Sequence, residues 1–229
     1  MSNQQPNTSQ PEHRQPHYRL WATLLDGYDW YLSSEKDEAY QEFLDKLNRV
    51  PMPTSPEAAQ GIAFQALIDS FHHPEQYERR PEWSKDGFTF NGDVVDEFVQ
   101  KFYYAHPNIY TEAVIDTRLG EVKLYGYADA ILADSAYDIK FTGRYSKGKF
   151  LNNWQHRIYP YCLNKQGIYV SRFEYTITDG ESVWIEDYVW MPDIFIPEVR
   201  HQCEELIHFI ESQRDKITNP KLFPNEQQG

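Results

Sequence analysis

The sequence predicts a mixed α/β domain, mainly because the hydrophobic period changes twice along the chain. Apolar residues recur at helical spacing up to Phe102, alternate with polar residues from Ile109 to Thr142, and return to helical spacing from Phe150. A second alternating pair and a closing amphipathic helix follow. The central order is therefore helix, three strands, helix, strand, as expected when helices cover a sheet.

Three helices are predicted before the strands. Ser34 can cap a helix over residues 34–48. Ser55, followed by Pro56 at the first helical position, starts a second helix that ends near residue 71. A third begins near Asp93, where valines and phenylalanines form an apolar stripe.

Period-two alternation predicts the strands, and Gly-containing turns separate them. A short turn also leads into the third strand. The predicted elements from here on are a hairpin of Ile109–Arg118 and Glu121–Ala133, a strand Ala136–Thr142, a helix Phe150–Asn164, a hairpin of Gly167–Thr178 and Glu181–Met191, and a helix Pro197–Ile217.

The chain has 229 residues, 40% of them hydrophobic, which suits one domain over residues 18–218. Residues 1–17 and 219–229 are rich in Gln, Asn and Pro and are predicted to be flexible tails. The sequence contains no apolar run of about 18 residues, so no membrane span or membrane partner is expected. Two cysteines, Cys162 and Cys203, cannot form a disulfide framework, which favours a cytoplasmic location.

Charge is distributed unevenly along the chain, whose net charge is −13. No Asp or Glu occurs between Ile139 and Phe173, whereas seven basic residues lie there. A local basic strip on an acidic protein can still bind phosphates, because the field at the docking site decides binding. The alternative is a solvated surface that lacks acids by chance. The seven residues are Lys140, Arg144, Lys147, Lys149, Arg157, Lys165 and Arg172.

The third strand carries the candidate chemistry. Its alternation places Asp138 and Lys140 on the face opposite its apolar residues. Asp129 lies near the end of the preceding strand, so an antiparallel pair with a tight turn would set it beside Asp138. Two close carboxylates repel unless a cation lies between them. Their oxygens, with the backbone carbonyl of Ile139, suit Mg²⁺ or Mn²⁺.

Phosphodiester hydrolysis needs this combination. A divalent metal polarises the phosphoryl oxygen and acidifies a bound water, and Lys140 can orient that water and offset charge on the phosphate. An acid-x-Lys triplet alone is a weak signal. A second one, Glu121-Val122-Lys123, directly follows a turn without a partner carboxylate, and we interpret it as surface charge.

The residues after the third strand add specificity. Gln155 and Tyr159 are four residues apart and share one helical face. Gly-x-x-Asp ending at Asp129, then Asp-Ile-Lys, then Gln-x-x-x-Tyr resembles the RecB-like branch of the PD-(D/E)XK nuclease superfamily. The resemblance is strongest over residues 112–163 and extends through the element order to most of the folded region.

This resemblance implies a restriction-endonuclease-like α-β-β-β-α-β core with additional N-terminal helices and a C-terminal helix. It implies divalent-metal-dependent DNA cleavage with Asp129 and Asp138 as metal ligands, Lys140 as the catalytic lysine, and Gln155 and Tyr159 bracing the site. A phage-type exonuclease in recombination or DNA processing is the finer implication, with a single-strand annealing or other recombination protein and a homo-oligomer as candidate partners. The alternative is a catalytically idle domain of this superfamily that binds nucleic acid or protein.

Three further features of the sequence bear on how closely the resemblance holds. Glu112 lies where relatives often carry a glutamate, so it is either an extra ligand or a solvent-facing residue. Relatives often carry a metal-binding His on an early helix, but here Phe64 occupies that position; Gln65 or Glu57 can compensate, or metal binding is weaker. The iron–sulfur branch needs four cysteines, so no Fe–S cluster is expected.

The remaining candidates have structural and functional readings. The loop Thr142–Lys149, with Arg144, Lys147 and Lys149, is predicted to grip a phosphate backbone. For His156 a phosphate contact and a packing role are weighed equally, and Arg157 belongs to the basic strip. Core positions are favoured over base stacking for Trp154, Tyr145 and Phe150. Helix-end or surface positions are favoured over metal binding for His72, His73 and His106.

Overall fold

The computed structural model describes residues 17–71 and 77–224 of the chain. Within these ranges groups of α-helices are interspersed with groups of β-strands in a mixed α/β order. The helices are α1 (Ala22–Ser33), α2 (Ala39–Asn48), α3 (Pro56–Asp69), α4 (Gly92–Phe102), α5 (Gln155–Lys165) and α6 (Pro192–Ser212). The strands are β1 (Tyr18–Trp21), β2 (Glu82–Lys85), β3 (Phe88–Asn91), β4 (His106–Thr117), β5 (Gly120–Leu132), β6 (Ser135–Phe141), β7 (Arg172–Thr178) and β8 (Val183–Val189).

Six of the described strands form one mixed sheet with β5 at its branch point. The path runs β1-β5-β6-β7-β8, and β4 pairs with β5 along its other edge. β1 and β5 are parallel, as are β6 and β7, while the hairpins β4–β5 and β7–β8 are antiparallel. The predicted α/β class and the order α4-β4-β5-β6-α5-β7 are confirmed.

Two hydrophobic layers cover opposite faces of this sheet. The larger layer contains α1, α2, α5 and α6, whose apolar residues pack on Leu124, Ala136 and Tyr175. The smaller layer contains α3, α4 and the β2–β3 hairpin, packed against Ile139 and Phe141. Because side chains alternate along a strand, β6 contributes to both layers and its Asp138 points towards the larger one.

The sheet opens along one edge of β5. β1 pairs with β5 only as far as Tyr125, and β6 pairs with it only from Ala130 onwards. Between these positions, residues 126–129 of β5 have no strand partner on that side among the described residues. This gap in the sheet places Asp129 where two strands diverge.

Capping residues in the sequence explain the starts of α3 and α4, which were predicted well. The hydroxyl of Ser55 accepts a hydrogen bond from the amide of Ala58 (3.1 Å), and Pro56 begins α3 as expected. The side chain of Asn91 accepts from the amide of Asp93 (2.9 Å) and caps α4.

Several boundaries were wrong. Ser34 ends α1 instead of capping the next helix, so α2 starts at Ala39. α5 starts at Gln155 rather than Phe150, and α6 runs over Pro192–Ser212 because Pro197 lies inside it instead of starting it. α1, β1 and the β2–β3 hairpin were not predicted, although Leu24, Leu25 and Tyr28 of α1 recur at helical spacing.

The folded part extends past the predicted boundary at residue 218, because Leu222 and Phe223 are buried in the larger layer. The remainder of the predicted tails, residues 1–16 and 225–229, and His72 and His73 lie outside the described residues. No helix in the described ranges combines the length and apolar character that crossing a bilayer requires.

Candidate active site

The gap in the sheet brings the two predicted carboxylates together. The β5–β6 ladder ends at the pair Ala130 and Tyr137, one position short of Asp129 and Asp138. There the Asp129 carboxylate replaces a backbone carbonyl and accepts the amide hydrogen of Ile139 (Oδ2–N, 2.7 Å). The two aspartates therefore lie side by side as the sequence predicted, one on each diverging strand.

Asp129 is held from the smaller layer. The side-chain amide of Gln65 on α3 donates to its Oδ1 at 2.7 Å. Burial raises the pKa of Asp129 above its ordinary value, and the neighbouring Asp138 carboxylate raises it further. A cation placed between the two carboxylates would relieve this repulsion.

Asp138 is held from the larger layer and is almost fully buried, with 4% of its surface exposed. Gln155 donates its amide to Asp138 Oδ1 and accepts a hydrogen bond from Lys140 Nζ at 2.9 Å. Lys140 Nζ also lies 2.6 Å from Asp138 Oδ2. Among the described residues, this ion pair is the polar contact of Oδ2, and no other group donates to it.

Tyr159 packs over the gap one turn along α5 from Gln155. Its ring lies against Gly126 so closely that a Cβ there would come within 2.4 Å of the ring. Burial and the nearby Asp138 raise the pKa of Tyr159, so the phenol stays protonated. The glycine of the Gly-x-x-Asp pattern is therefore required for the packing of this tyrosine.

Asp26 and Asp29 on α1 position the start of α5. Asp26 accepts the backbone amide of Trp154 (2.8 Å), and Asp29 accepts its indole N–H (2.7 Å). Burial raises the pKa of Asp26 to about 6, while that hydrogen bond and Lys140 lower it. The sequence analysis missed both residues, since α1 was not predicted; the acidic pair spaced by three was the available signal.

The donor set at the gap fits a hard divalent cation. Asp129 and Asp138 provide carboxylate oxygens, and the buried Asp138 Oδ2 accepts from no described group besides its ion-pair partner Lys140. No group of three or more His, Cys, Asp or Glu side chains in the described ranges is arranged to hold a metal. Mg²⁺ is commonly held by one or two carboxylates together with waters and substrate phosphates, so two carboxylates suffice.

Glu112 does not join this group. The β4–β5 register places it opposite Tyr125, four residues and roughly 13 Å from Asp129 along β5. There it forms an ion pair with Lys123 at 2.8 Å and accepts a hydrogen bond from Tyr110. Of the two alternatives for Glu112, the structure therefore shows the solvent-facing residue and not the extra ligand. Its partner Lys123 belongs to the second acid-x-Lys triplet, so that triplet carries a surface ion pair.

The structure also places the early-helix residues Phe64, Gln65 and Glu57. Phe64 is buried and packs edge-on against Phe98, so the position compared with the His of the resembled family belongs to the smaller core here. Gln65 reaches Asp129, whereas Glu57 is exposed at the start of α3. Of the two candidates for compensation, the structure brings only Gln65 to the site.

The basic residues of the strip lie in different environments in the structure. Arg144, Lys147 and Lys149 are exposed on the loop after β6, next to Lys140 in sequence, and Lys149 donates to the carbonyl of Arg144 at 2.7 Å. Arg157 packs on Trp154 and lies 3.5 Å from Glu198, so its charge is partly neutralised.

His156 does not reach the surface. It is 2% exposed and stacks on Tyr188 with ring centroids 4.2 Å apart. Burial lowers its pKa to about 3, so it is neutral in the core. Of the two roles weighed for His156, the structure gives packing, and the prediction of His156 as a DNA-contacting residue is wrong. The core positions of Trp154 and Phe150 are confirmed, Tyr145 stacks on Trp184, and His106 is exposed at the start of β4.

Comparisons with known proteins support the fold. No protein-family profile and no curated protein matches the sequence. Among solved structures, a protein from Eubacterium rectale named "Putative exonuclease" aligns with a TM-score of 0.51 and 14% identity, covering 84% of this chain and 81% of that one. The protein SSO0001 aligns with a TM-score of 0.49 and 15% identity, covering 86% and 79%. The likeness to the Eubacterium rectale protein shows a shared fold.

Proposed function

We propose that this protein is a divalent-metal-dependent nuclease that hydrolyses DNA phosphodiester bonds. The observation that carries the proposal is the cluster of Asp129, Asp138 and Lys140 at the gap in the sheet, in which the buried Asp138 Oδ2 is contacted among the described residues by the Lys140 ammonium group alone. The resemblance to PD-(D/E)XK nucleases and the fold shared with a protein named as an exonuclease support the same class.

Asp129, Asp138 and the backbone carbonyl of Ile139 would hold Mg²⁺ or Mn²⁺. When bound, such an ion polarises a phosphoryl oxygen and makes water a better nucleophile. The carboxylates supply the negative charge that this requires, and the burial of Asp138 limits the access of competing waters on its side of the site. Tyr159 fills the space behind Gly126 and limits the room on that side of the site.

Lys140 has an electrostatic role in this proposal. Its ammonium group lies against Asp138, and that carboxylate stabilises its positive charge. A charged ammonium cannot accept a proton, so Lys140 does not act as the general base. It instead offsets the negative charge that builds up on the phosphate. Gln155 holds the side chains of Lys140 and Asp138 in position through one hydrogen bond to each.

Within the nuclease class we propose an exonuclease that acts on linear DNA in recombination or DNA processing. The name of the Eubacterium rectale protein and the phage-type resemblance support this finer assignment. Arg144 and Lys147 on the loop after β6 are positioned to contact the phosphate backbone. A single-strand annealing protein and further copies of this chain are the corresponding candidate partners.

The second candidate is a nucleic-acid-binding domain without hydrolytic activity. It is favoured by one observation, that the described residues offer two metal-ligating side chains and not three. Lys140 and Gln155 would then only stabilise a buried carboxylate.

The test is incubation of the purified chain with Mg²⁺ and either linear or covalently closed circular DNA. We expect loss of linear DNA, protection of circular DNA, and no loss of either with a chelator or with the Asp138→Asn variant. Cleavage of both substrates would favour an endonuclease. Undiminished cleavage by Asp138→Asn would falsify the proposed site, and binding without cleavage would favour the second candidate.

A further inference from the structure

One face of the sheet next to the candidate site carries interleaved aromatic and basic residues. It is formed by β1, β4 and β5 together with the residue that ends α2. We call it the tyrosine–arginine face, and it consists of Arg19, Trp21, Arg49, Tyr110, Tyr125 and Tyr127.

Strand register places these residues side by side. Trp21 pairs with Tyr125, and Tyr110 pairs with Tyr127, so their side chains project from the same face of the sheet. Contacts join the members. The Arg19 guanidinium lies 4.2 Å from the Tyr125 ring centroid and donates to the Tyr110 hydroxyl at 3.3 Å. The rings of Tyr110 and Tyr127 are 5.2 Å apart.

Positive charge on this face is arranged around aromatic rings. Arg49 ends α2 in a left-handed conformation, lies 4.6 Å over the Trp21 ring and donates to the Tyr125 hydroxyl. Among the described residues, neither Arg19 nor Arg49 forms an ion pair within 4 Å. A protein of net charge −13 thus presents two arginines on this face, where the one neighbouring carboxylate described, Glu112, is paired with Lys123 and hydrogen-bonded to Tyr110. The result is a local field that attracts phosphate.

The face leads directly to the carboxylates. Tyr127, 59% exposed, precedes Asp129 by two residues on the same strand, about 7 Å away. Asn108 follows the same face along β4 and donates to Asp69 at the end of α3, the helix that supplies Gln65 to Asp129. The tyrosine–arginine face therefore adjoins the smaller layer's side of the candidate site.

We propose that the tyrosine–arginine face binds a single-stranded stretch of DNA and guides it to Asp129 and Asp138. Exposed tyrosines provide stacking surfaces for unpaired bases, and the arginines provide contacts to phosphates. A duplex keeps its bases stacked inside, so it cannot use these rings in the same way. The inference rests on the proposed nuclease function and specifies its substrate as an end with an unpaired strand.

Binding can be tested separately from cleavage. Fluorescence anisotropy with a labelled 12-nucleotide oligothymidylate is measured in chelator, so that no cleavage occurs, for the full chain and for Tyr127→Ala, Arg19→Ala and Arg49→Ala. We expect about tenfold weaker binding for Tyr127→Ala through lost stacking. Each arginine variant is expected to lower the slope of log affinity against log salt by about 0.7. Matched controls are Tyr169→Ala, an exposed tyrosine elsewhere, and Arg79→Ala, an exposed arginine elsewhere.

The outcomes separate this inference from the proposed function. Weaker binding in the face variants and not in the controls supports the inference, even if the chain cleaves nothing. Wild-type cleavage with unchanged oligothymidylate binding in all three face variants overturns it and leaves the nuclease intact. The inference is equally overturned if the variants change the sedimentation coefficient alone, which would make the face an interface between copies, or if they weaken duplex and single-strand binding equally.

Discussion

The two layers that cover the sheet hold the site's two carboxylates in different ways. From the larger layer, Gln155 is buried and contacts both Asp138 and Lys140. From the smaller layer, Gln65 is half-buried and contacts Asp129. The same side-chain type thus braces one carboxylate within a closed network and the other at an open edge.

This difference assigns different tasks to the two sides. Asp138 is fixed because it is buried between Gln155 and Lys140, which also contact each other and so hold one another in place. Asp129 accepts hydrogen bonds from Gln65 and the Ile139 amide, but no described lysine or arginine lies within ion-pair distance of it, and its pKa is raised by burial and by the adjacent carboxylate. We infer that the larger layer sets the geometry of the site and the smaller layer leaves room for ligand exchange.

The largest effect is expected at Lys140. Lys140→Ala should reduce the rate of DNA cleavage by about 100-fold or more, because a preorganised positive charge is lost. Lys123→Ala, in the second acid-x-Lys triplet, should leave the rate within about twofold, since Lys123 pairs with Glu112 on the surface. Single-turnover rates at saturating Mg²⁺ provide the measurement, with circular dichroism to confirm folding. Equal losses in both variants would contradict the assignment of the first triplet as the site.

Substitutions of Gln155 and Gln65 test the proposed difference between the two layers. Gln155→Ala should slow cleavage by about 10- to 100-fold, as expected for a residue that orients both a ligand and the catalytic lysine. Gln65→Ala should cost less than tenfold and should mainly raise the Mg²⁺ concentration required, because it contacts Asp129 alone. Mg²⁺ titrations of the cleavage rate distinguish the two effects. A larger loss for Gln65→Ala would reverse the roles of the layers.

The packing of Tyr159 on Gly126 should affect stability more than chemistry. Gly126→Ala places a methyl group against the tyrosine ring and should destabilise the chain by about 1–3 kcal/mol. Tyr159→Leu in the same chain should recover part of that loss, because the smaller side chain makes room. Urea unfolding of the two single variants and the double variant measures the coupling. Strictly additive losses would show that the ring is not the obstacle.

The smallest effect concerns the pH dependence of stability in the larger layer. His156 has a pKa of about 3 in the folded chain, below its ordinary value of 6.5. Between these values the unfolded chain binds the extra proton, so stability falls as pH decreases, by roughly 1.4 kcal/mol per pH unit at most. His156→Phe should remove this component from urea-unfolding curves between pH 6.5 and 4.5. The exposed His208→Gln should retain the wild-type slope.

The sequence predicted the parts of the fold whose residues interact locally. The β4–β5 hairpin and β6 were placed within a few residues, because alternation and turn residues act over short distances. β1 escaped prediction because a four-residue parallel strand depends on a distant partner. The β2–β3 hairpin was missed for a similar reason, since its short strands are ordered by packing against α3 and α4.

For the candidate site, sequence spacing placed Asp129 beside Asp138, and the family resemblance implied that Gln155 braces the site, where it contacts Lys140. Spacing alone did not determine which side chains lie within reach of the pair. Gln65 reaches Asp129 through the packing of α3, and Glu112 is excluded by strand register. The burial of His156 likewise follows from stacking on β8, a contact between elements that no local pattern encodes.

The hydrogen bond from the Ile139 amide to Asp129 gives the protein a built-in spectroscopic probe. Most sheet amides donate to carbonyl groups that do not titrate, whereas this one donates to a carboxylate. Its proton resonance should move upfield when Asp129 takes up a proton, and the raised pKa places that change above the usual carboxylate range. Binding of Mg²⁺ would shift the same signal without any change in pH. A single isotope-labelled isoleucine position could therefore follow both protonation and metal occupancy at the gap in the sheet.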